Sequence, residues 1–212
     1  MQKYCTIYLA RHGETEWNEK KLIQGHSDIP LNKKGEIQAK DLSKKLSHVK
    51  FAAVFSSDLI RAKRTAEIIA LEKKIAVKTT KTLRERYFGR FEGTSWEEDK
   101  QYQSYLNKFL KLSYKERYYK KPYEDTESDE KLMVRFIPFL RQVAVAYPGK
   151  NILMVTHGGV MRVFLIHLGY GTYITLPSGS INNTAYVRLM SDGVDFFIKE
   201  TFGIEKKSIL IK

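Results

Sequence analysis

Two short apolar runs, each stopped by a histidine and a glycine, constrain this chain most. Residues 4–10 carry Tyr4, Ile7, Tyr8 and Leu9 with no Gly or Pro, and read as a buried strand. The run stops at Arg11-His12-Gly13-Glu14-Thr15, so a cation and an imidazole arrive together at its carboxyl end. Residues 151–155 form a second run, stopped by Thr156-His157-Gly158-Gly159. Open α/β sheets hold their ligands beyond the carboxyl ends of their strands. Two such pairs, far apart in sequence, therefore predict one site with two imidazoles. Gly13 is expected to let the backbone turn sharply behind the first of them. A single strand-end histidine is more often structural; a pair, one preceded by Arg, points to chemistry.

The remaining pattern alternates helix and strand. Residues 33–46 place Ile37, Leu42 and Leu46 at helical spacing, and residues 51–55 read as a strand. Ser56-Ser57-Asp58 supplies capping chemistry for a helix running to Leu71. Residues 75–77 are a further short strand, and Thr94-Ser95-Trp96-Glu97 has the form of a capping box. Helices are expected over residues 128–146 and 159–168. A hairpin should join residues 185–190 to 194–199 across Ser191-Asp192-Gly193. This order predicts a three-layer α/β/α sandwich, a single domain spanning residues 1–212. With 212 residues and 42% hydrophobic content, the chain has enough apolar material for one good core.

Composition removes several function classes. One cysteine, Cys5, excludes an internal disulfide and a cysteine-rich metal site, and its place in the first strand marks a buried structural thiol. The chain enters the first strand at once, without an apolar signal segment, and no run approaches the ~20 residues of a membrane span. A soluble, cytoplasmic protein is expected. The net charge of +13 is concentrated in residues 100–123, where Lys100, Lys108, Lys111, Lys115, Arg117, Lys120 and Lys121 face only Glu116 before the acidic stretch. Tyrosines 102, 105, 114, 118, 119 and 123 interleave with them. Basic and aromatic side chains together also make single-strand nucleic-acid surfaces. No nucleic-acid motif accompanies them here, and lysines at helical spacing usually form a solvated face.

Other polar residues fall where the fold could gather them. Arg61 lies one turn into the helix after residue 55, from where it could swing back over the strand ends. Glu85 sits among Arg84, Arg86 and Arg90, where ordinary ion pairing would also explain it. Taken together they suit phosphoryl transfer. A neutral imidazole attacks phosphorus in line, arginines neutralise the equatorial oxygens, and a carboxyl group protonates the leaving alcohol. The local two-ligand spacing of a zinc helix is missing, which disfavours a metal hydrolase.

Arg11-His12-Gly13-Glu14-Thr15, Ser57-Asp58-Leu59 with Arg61-Ala62, Leu83 with Glu85 and Gly89, Glu92-Gly93 and Thr156-His157-Gly158-Gly159 resemble the histidine phosphatase, or phosphoglycerate mutase-like, superfamily. Gly25, Asp28, Pro30-Leu31, Gly35 and Gln38-Ala39 match the segment after its first motif, and the likeness runs from Tyr4 to Leu168, extending weakly into Asn183-Thr184. The resemblance implies a nucleophile at His12, a phosphate clamp of Arg11, Arg61 and His157, and a proton donor at Glu85. It also implies substrate contacts from Asn18, Gln24, Gly25, Arg86 and Gly158, and no metal or other cofactor. Residues 83–89 are shared with both mutases and phosphatases, but the surrounding segments resemble the fructose-2,6-bisphosphatase and TIGAR-like phosphatases more. The mutases' paired-arginine insertion has no counterpart beyond Lys120-Lys121. The expected activity is a phosphatase for small anionic phosphometabolites such as a sugar bisphosphate. The alternatives are a phosphoglycerate mutase and an inactive phospho-ligand-binding module of the same fold. Residues 94–123 should form a cap whose cations favour a second negative group on the substrate. The partners expected are that small molecule and, as an option, a second copy of the chain; membrane and nucleic acid are not expected.

Overall fold

The computed structural model describes residues 3–121 and 123–208, so Met1, Gln2, Pro122 and residues 209–212 of the expected 1–212 domain lie outside the described residues. The described residues form six strands: β1 (Cys5–Arg11), β2 (Phe51–Ser57), β3 (Val77–Thr80), β4 (Asn151–Thr156), β5 (Ile181–Ser191) and β6 (Phe196–Ile204). They lie in the order β3-β2-β4-β1-β5-β6. The first four in that order are mutually parallel, while β5 and β6 run antiparallel to their neighbours. The helices are α1 (Glu16–Glu19), α2 (Lys33–Lys45), α3 (Ile60–Leu71), α4 (Lys100–Leu110), α5 (Tyr114–Tyr119), α6 (Asp129–Ala146) and α7 (Gly158–His167).

The apolar runs bury both of their faces, which is why they show no polar alternation. Ile7, Leu9, Ile152 and Met154 meet Leu132, Phe136 and Leu140 of α6 and Val160 and Phe164 of α7. The alternate residues Tyr8, Ala10, Leu153 and Val155 meet Leu42 of α2 and Ala62, Ala66 and Ile69 of α3. The expected three layers follow from this two-sided burial. Cys5 lies within the first core, where burial pushes its thiol up to about 11. Among the described residues no helix is long and apolar enough to cross a membrane.

Several local expectations are corrected. Ser56 and Ser57 finish β2, and no side chain of its N-cap residue, Leu59, caps α3. The cap is tertiary: Asp28 Oδ1, from the loop before α2, accepts the Ile60 N–H at 2.6 Å. Residues 94–97 open no helix, because a bridge from Leu22 to Ser95 holds that segment extended. The Ser95 hydroxyl accepts from Glu97 and Glu98 in a turn, and α4 starts after Asp99, whose Oδ1 accepts from Tyr102 N. The strand expected at 75–77 forms two residues later, against β2. Strand β5 begins earlier than expected, with Thr184 in the left-handed region (φ +57°) and a register irregularity against β6.

Gly13 does not serve a left-handed turn. It is needed because a Cβ there would lie 2.4 Å from the carbonyl oxygen of Gly35 in α2, and one on Gly35 would lie 2.0 Å from the carbonyl oxygen of Glu14. Two glycines facing each other let α2 press directly on the loop that carries His12.

Residues 94–123 contain α4 and α5. Helix α4 turns Tyr102, Tyr105 and Phe109 inward: Phe91 meets Tyr102 edge-on, and Tyr105 packs beside Phe109. Lys100, Lys108, Lys111, Lys115, Lys120 and Lys121 are exposed. Arg117 is buried, donating to the carbonyls of Leu110 and Leu112 at the end of α4. The expected substrate-facing cations are therefore a solvated face and one structural arginine. Amphipathic spacing decides this, because the aromatic stripe takes the inward positions.

Gly35→Ala should destabilise the fold by about 1–3 kcal/mol through overpacking and should also reduce activity by displacing residues 13–14. Exposed Lys33→Ala should change stability by less than ~0.5 kcal/mol. Urea unfolding of the two variants checks both statements.

Candidate active site

Each of the four parallel strands delivers one group to the same end of the sheet. Strands β1 and β4 pair with Arg11 opposite Thr156, so the next residues, His12 and His157, emerge side by side. The His12 N–H donates to the Thr156 carbonyl at 3.0 Å, and the two imidazole centroids are 5.1 Å apart. Arg61 follows β2 on the first turn of α3, and Glu85 follows β3 beyond a 3-10 turn over Lys81–Leu83.

Hydrogen bonds assign complementary tautomers to the two histidines. His12 Nδ1 lies 2.7 Å from the carbonyl oxygen of Gly13, which fixes the proton there and leaves a lone pair on Nε2. His157 Nδ1 accepts from Arg61 Nε at 3.2 Å, so its proton is on Nε2, a buried atom without a protein partner among the described residues. One ring presents a lone pair and the other an N–H. Burial first, then the charges of Arg61 and Arg11, hold the pKa of His12 well below the usual histidine value. His157 is lowered in the same way, with His12 adding to the arginine effects. Both rings are neutral at pH 7.

The arginines divide their work. Arg61 reaches back from α3 over the strand ends, where its Nε meets His157 Nδ1. It is fully buried, and donates from Nη1 to Ser27 O and from Nη2 to Gly25 O, both at 2.7 Å. Burial pulls its pKa down to about 10, which still leaves it charged. Arg11 Nη1 donates to Ile181 O at 2.5 Å, while its Nε is buried without a partner among the described residues. Burial lowers its pKa, and Glu85 and Glu14 oppose that.

Glu85 lies on the amino end of α7. Its Oε2 accepts from Gly159 N at 2.9 Å, and its Oε1 from Val160 N at 3.1 Å and Arg86 N at 2.8 Å. A Cβ on Gly159 would lie 2.5 Å from Glu85 Oε1, and one on Gly158 would lie 3.1 Å from Arg11 Nε. The two glycines of the second motif make room for the carboxylate and the guanidinium. Behind Glu85, Arg135 donates to its carbonyl and to Glu127, and His26 Nε2 lies 2.9 Å from the same carbonyl.

The remaining expected residues are placed unequally. Gln24 and Gly25 are buried beside Arg61, and the Gln24 Oε1 is unpartnered. Asn18 caps α1 with Thr15, and its Oδ1 also accepts from Asn183, whose amide donates to His12 O. Arg86 is corrected: its guanidinium is committed to a buried ion pair with Asp129 and to the Glu127 carbonyl, and only its backbone N–H reaches Glu85. Thr65, unseen in the sequence, accepts from Gly13 N and donates to Arg61 O, tying the first motif to α3. Among the described residues no group of three or more His, Cys, Asp or Glu is arranged to hold a metal ion.

Compared with known proteins, the sequence matches the histidine phosphatase superfamily (branch 1) over residues 7–202. It is 38% identical over 165 residues to phosphoglycerate mutase-like protein 4 of Arabidopsis thaliana, covering 75% of this chain and 69% of that protein. It is 36% identical over 166 residues to the metal-independent phosphoserine phosphatase of Arabidopsis thaliana, covering 76% of this chain and 68% of that one. The solved structure of Bacillus stearothermophilus YhfR superposes with a TM-score of 0.80 at 29% identity, covering 92% of this chain and 95% of that one.

Two outcomes follow from this geometry. Gly159→Ala should cut kcat/KM about a hundredfold by displacing Glu85, with a far smaller loss of stability. Unfolded histidines take up a proton near pH 6.5 whereas buried His12 and His157 do so only at lower pH, so stability should fall as pH drops below 6.5. Urea midpoints at pH 7.5 and 5.5 measure that slope, and His12→Asn should make it shallower.

Proposed function

The chain belongs to the histidine phosphatase superfamily, and on that premise we propose that it hydrolyses small anionic phosphomonoesters through a phosphohistidine at His12. The observation that carries this reading is the tautomer pair: a lone pair on His12 Nε2 beside an unpartnered N–H on His157. In the first step His12 Nε2 attacks phosphorus and the bond from phosphorus to the ester oxygen breaks. The leaving oxygen takes its proton from Glu85. In the second step Glu85 takes a proton from water, the resulting hydroxide attacks phosphorus, and the phosphorus–nitrogen bond breaks to release inorganic phosphate.

Arg11 Nε and His157 Nε2 supply hydrogen bonds to the phosphoryl oxygens, and buried Arg61 adds charge while fixing the His157 ring. Loss of one such donor typically costs about 3 kcal/mol, roughly a hundredfold in rate. These cations supply the positive charge that a metal ion provides in other phosphatases, which supports a metal-independent reaction. The names of the two plant relatives divide between mutase-like and phosphatase, and the fate of the phosphohistidine separates those activities.

His12→Ala should lower turnover by roughly four orders of magnitude or more. Rapid quench of the wild type should trap an acid-labile, base-stable phosphate that His12→Ala lacks. Release of inorganic phosphate supports the phosphatase, whereas isomerised phosphoester with little phosphate release would make the chain a mutase. Activity should persist in excess chelator; its loss, with rescue by a divalent ion, would contradict the mechanism.

A further inference from the structure

Residues 84–88, which carry Glu85, belong to no helix or strand, so their backbone groups have no ladder of their own. Support from outside converges on the Glu85 carbonyl. Arg135, midway along α6, donates to it from Nη2 at 2.9 Å and to Thr82 O from Nη1 at 2.6 Å, spanning the exit from the 3-10 turn. Glu127 fixes the guanidinium in return, its Oε1 accepting from Nε at 2.8 Å and its Oε2 from Nη2 at 3.0 Å. All three guanidinium nitrogens are thereby committed within the protein. The second tie is the His26 ring, whose Nε2 lies 2.9 Å from the same carbonyl oxygen. A carbonyl only accepts, so that nitrogen carries the proton. His26 stands between Gly25 and Ser27, the two residues whose carbonyls take Arg61. One loop therefore fastens both the buried cation and Glu85.

We propose that Arg135 and His26 are positioning residues for the proton donor: through the Glu85 carbonyl they hold its carboxyl at the amino end of α7 while it carries the proton. The side-chain contacts are weakest in that form. As a carboxylate, Glu85 accepts from three backbone N–H groups, and its charge makes such bonds roughly twice as strong. The protonated acid that the leaving oxygen requires gives up that charge, and one of its oxygens becomes a donor. The two bonds on the backbone carbonyl do not depend on the proton, so they keep the acid in place through the first step. A displacement of about 1 Å at this point costs roughly a hundredfold in rate. This inference rests on the phosphatase reading, because it takes Glu85 as the acid.

The test uses two esters that differ in their need for an acid. Dinitrophenyl phosphate expels a stable phenolate unaided, whereas phenethyl phosphate expels an alkoxide that must be protonated. Glu85→Gln sets the pattern to be matched, with kcat/KM falling far more for the phenethyl ester. Arg135→Gln and His26→Ala should each follow it, losing roughly 10- to 100-fold with phenethyl phosphate and less than about threefold with the dinitrophenyl ester. A merely structural defect lowers both alike. Equal losses on the two esters in either variant that folds, or no loss with phenethyl phosphate, overturn the proposal. His26→Ala, which removes only a half-buried ring, decides the matter if Arg135→Gln does not fold. An equal loss on both esters in Glu85→Gln would contradict the proton-donor role in the phosphatase reading and this inference with it. The selective pattern in Glu85→Gln alone would contradict the positioning only.

Discussion

The in-register parallel pairing of β1 with β4, Arg11 opposite Thr156, places the two imidazoles 5.1 Å apart and makes the rest of the site necessary. A slip of one residue would turn His12 away from His157 and present Ile7 and Leu9 to the opposite helical layer. Burial on both faces prevents that slip, since each strand has its own helical layer to satisfy. Stability of the sheet and placement of the histidines are thus one constraint. The other parallel strands then need only add what an imidazole pair lacks, a fixed cation from β2 and a carboxylate from β3.

The same positive charges serve two ends. Burial first, and then the charges of Arg61 and Arg11, lower the pKa of both histidines, and a neutral ring is the form with a lone pair to give. The two charges also set the field into which a phosphate group would move. Burying Arg61 is expensive, and the cost is offset by three directed acceptors: Gly25 O, Ser27 O and His157 Nδ1. Those contacts join the loop after β1, the helix after β2 and the turn after β4 through one side chain. Glu85 is fixed differently, by three backbone N–H groups, two of them at the amino end of α7.

What the sequence makes legible is what is contiguous in it. The strands, the strand-end histidines and the two-sided core follow from short runs and their terminators. The places of Arg61 and Glu85 in one site are legible only through resemblance to a family, because neither has a local pattern that separates it from an ordinary surface ion pair. The need for Gly13 is not legible locally: a close approach to Gly35 depends on which backbone arrives from elsewhere, and a single glycine does not encode that. The capping of α3 by Asp28 and the tie from Thr65 are tertiary in the same sense. The lysines of residues 100–121 stand out by number yet form a solvated face, whereas Arg86, beside Glu85, is paired with Asp129, a partner remote in sequence.

The central claim is that His12 and His157 are both neutral and of opposite tautomer, so that one offers a lone pair where the other offers a proton. Nitrogen-15 NMR of imidazole-labelled protein, with His12→Asn and His157→Asn used for assignment, reads this directly. At pH 7 a protonated Nδ1 with an unprotonated Nε2 is expected for His12, and the reverse for His157, persisting below pH 6.5, the ordinary histidine value. A charged imidazolium at pH 7, or a His12 ring carrying its proton on Nε2, would contradict it.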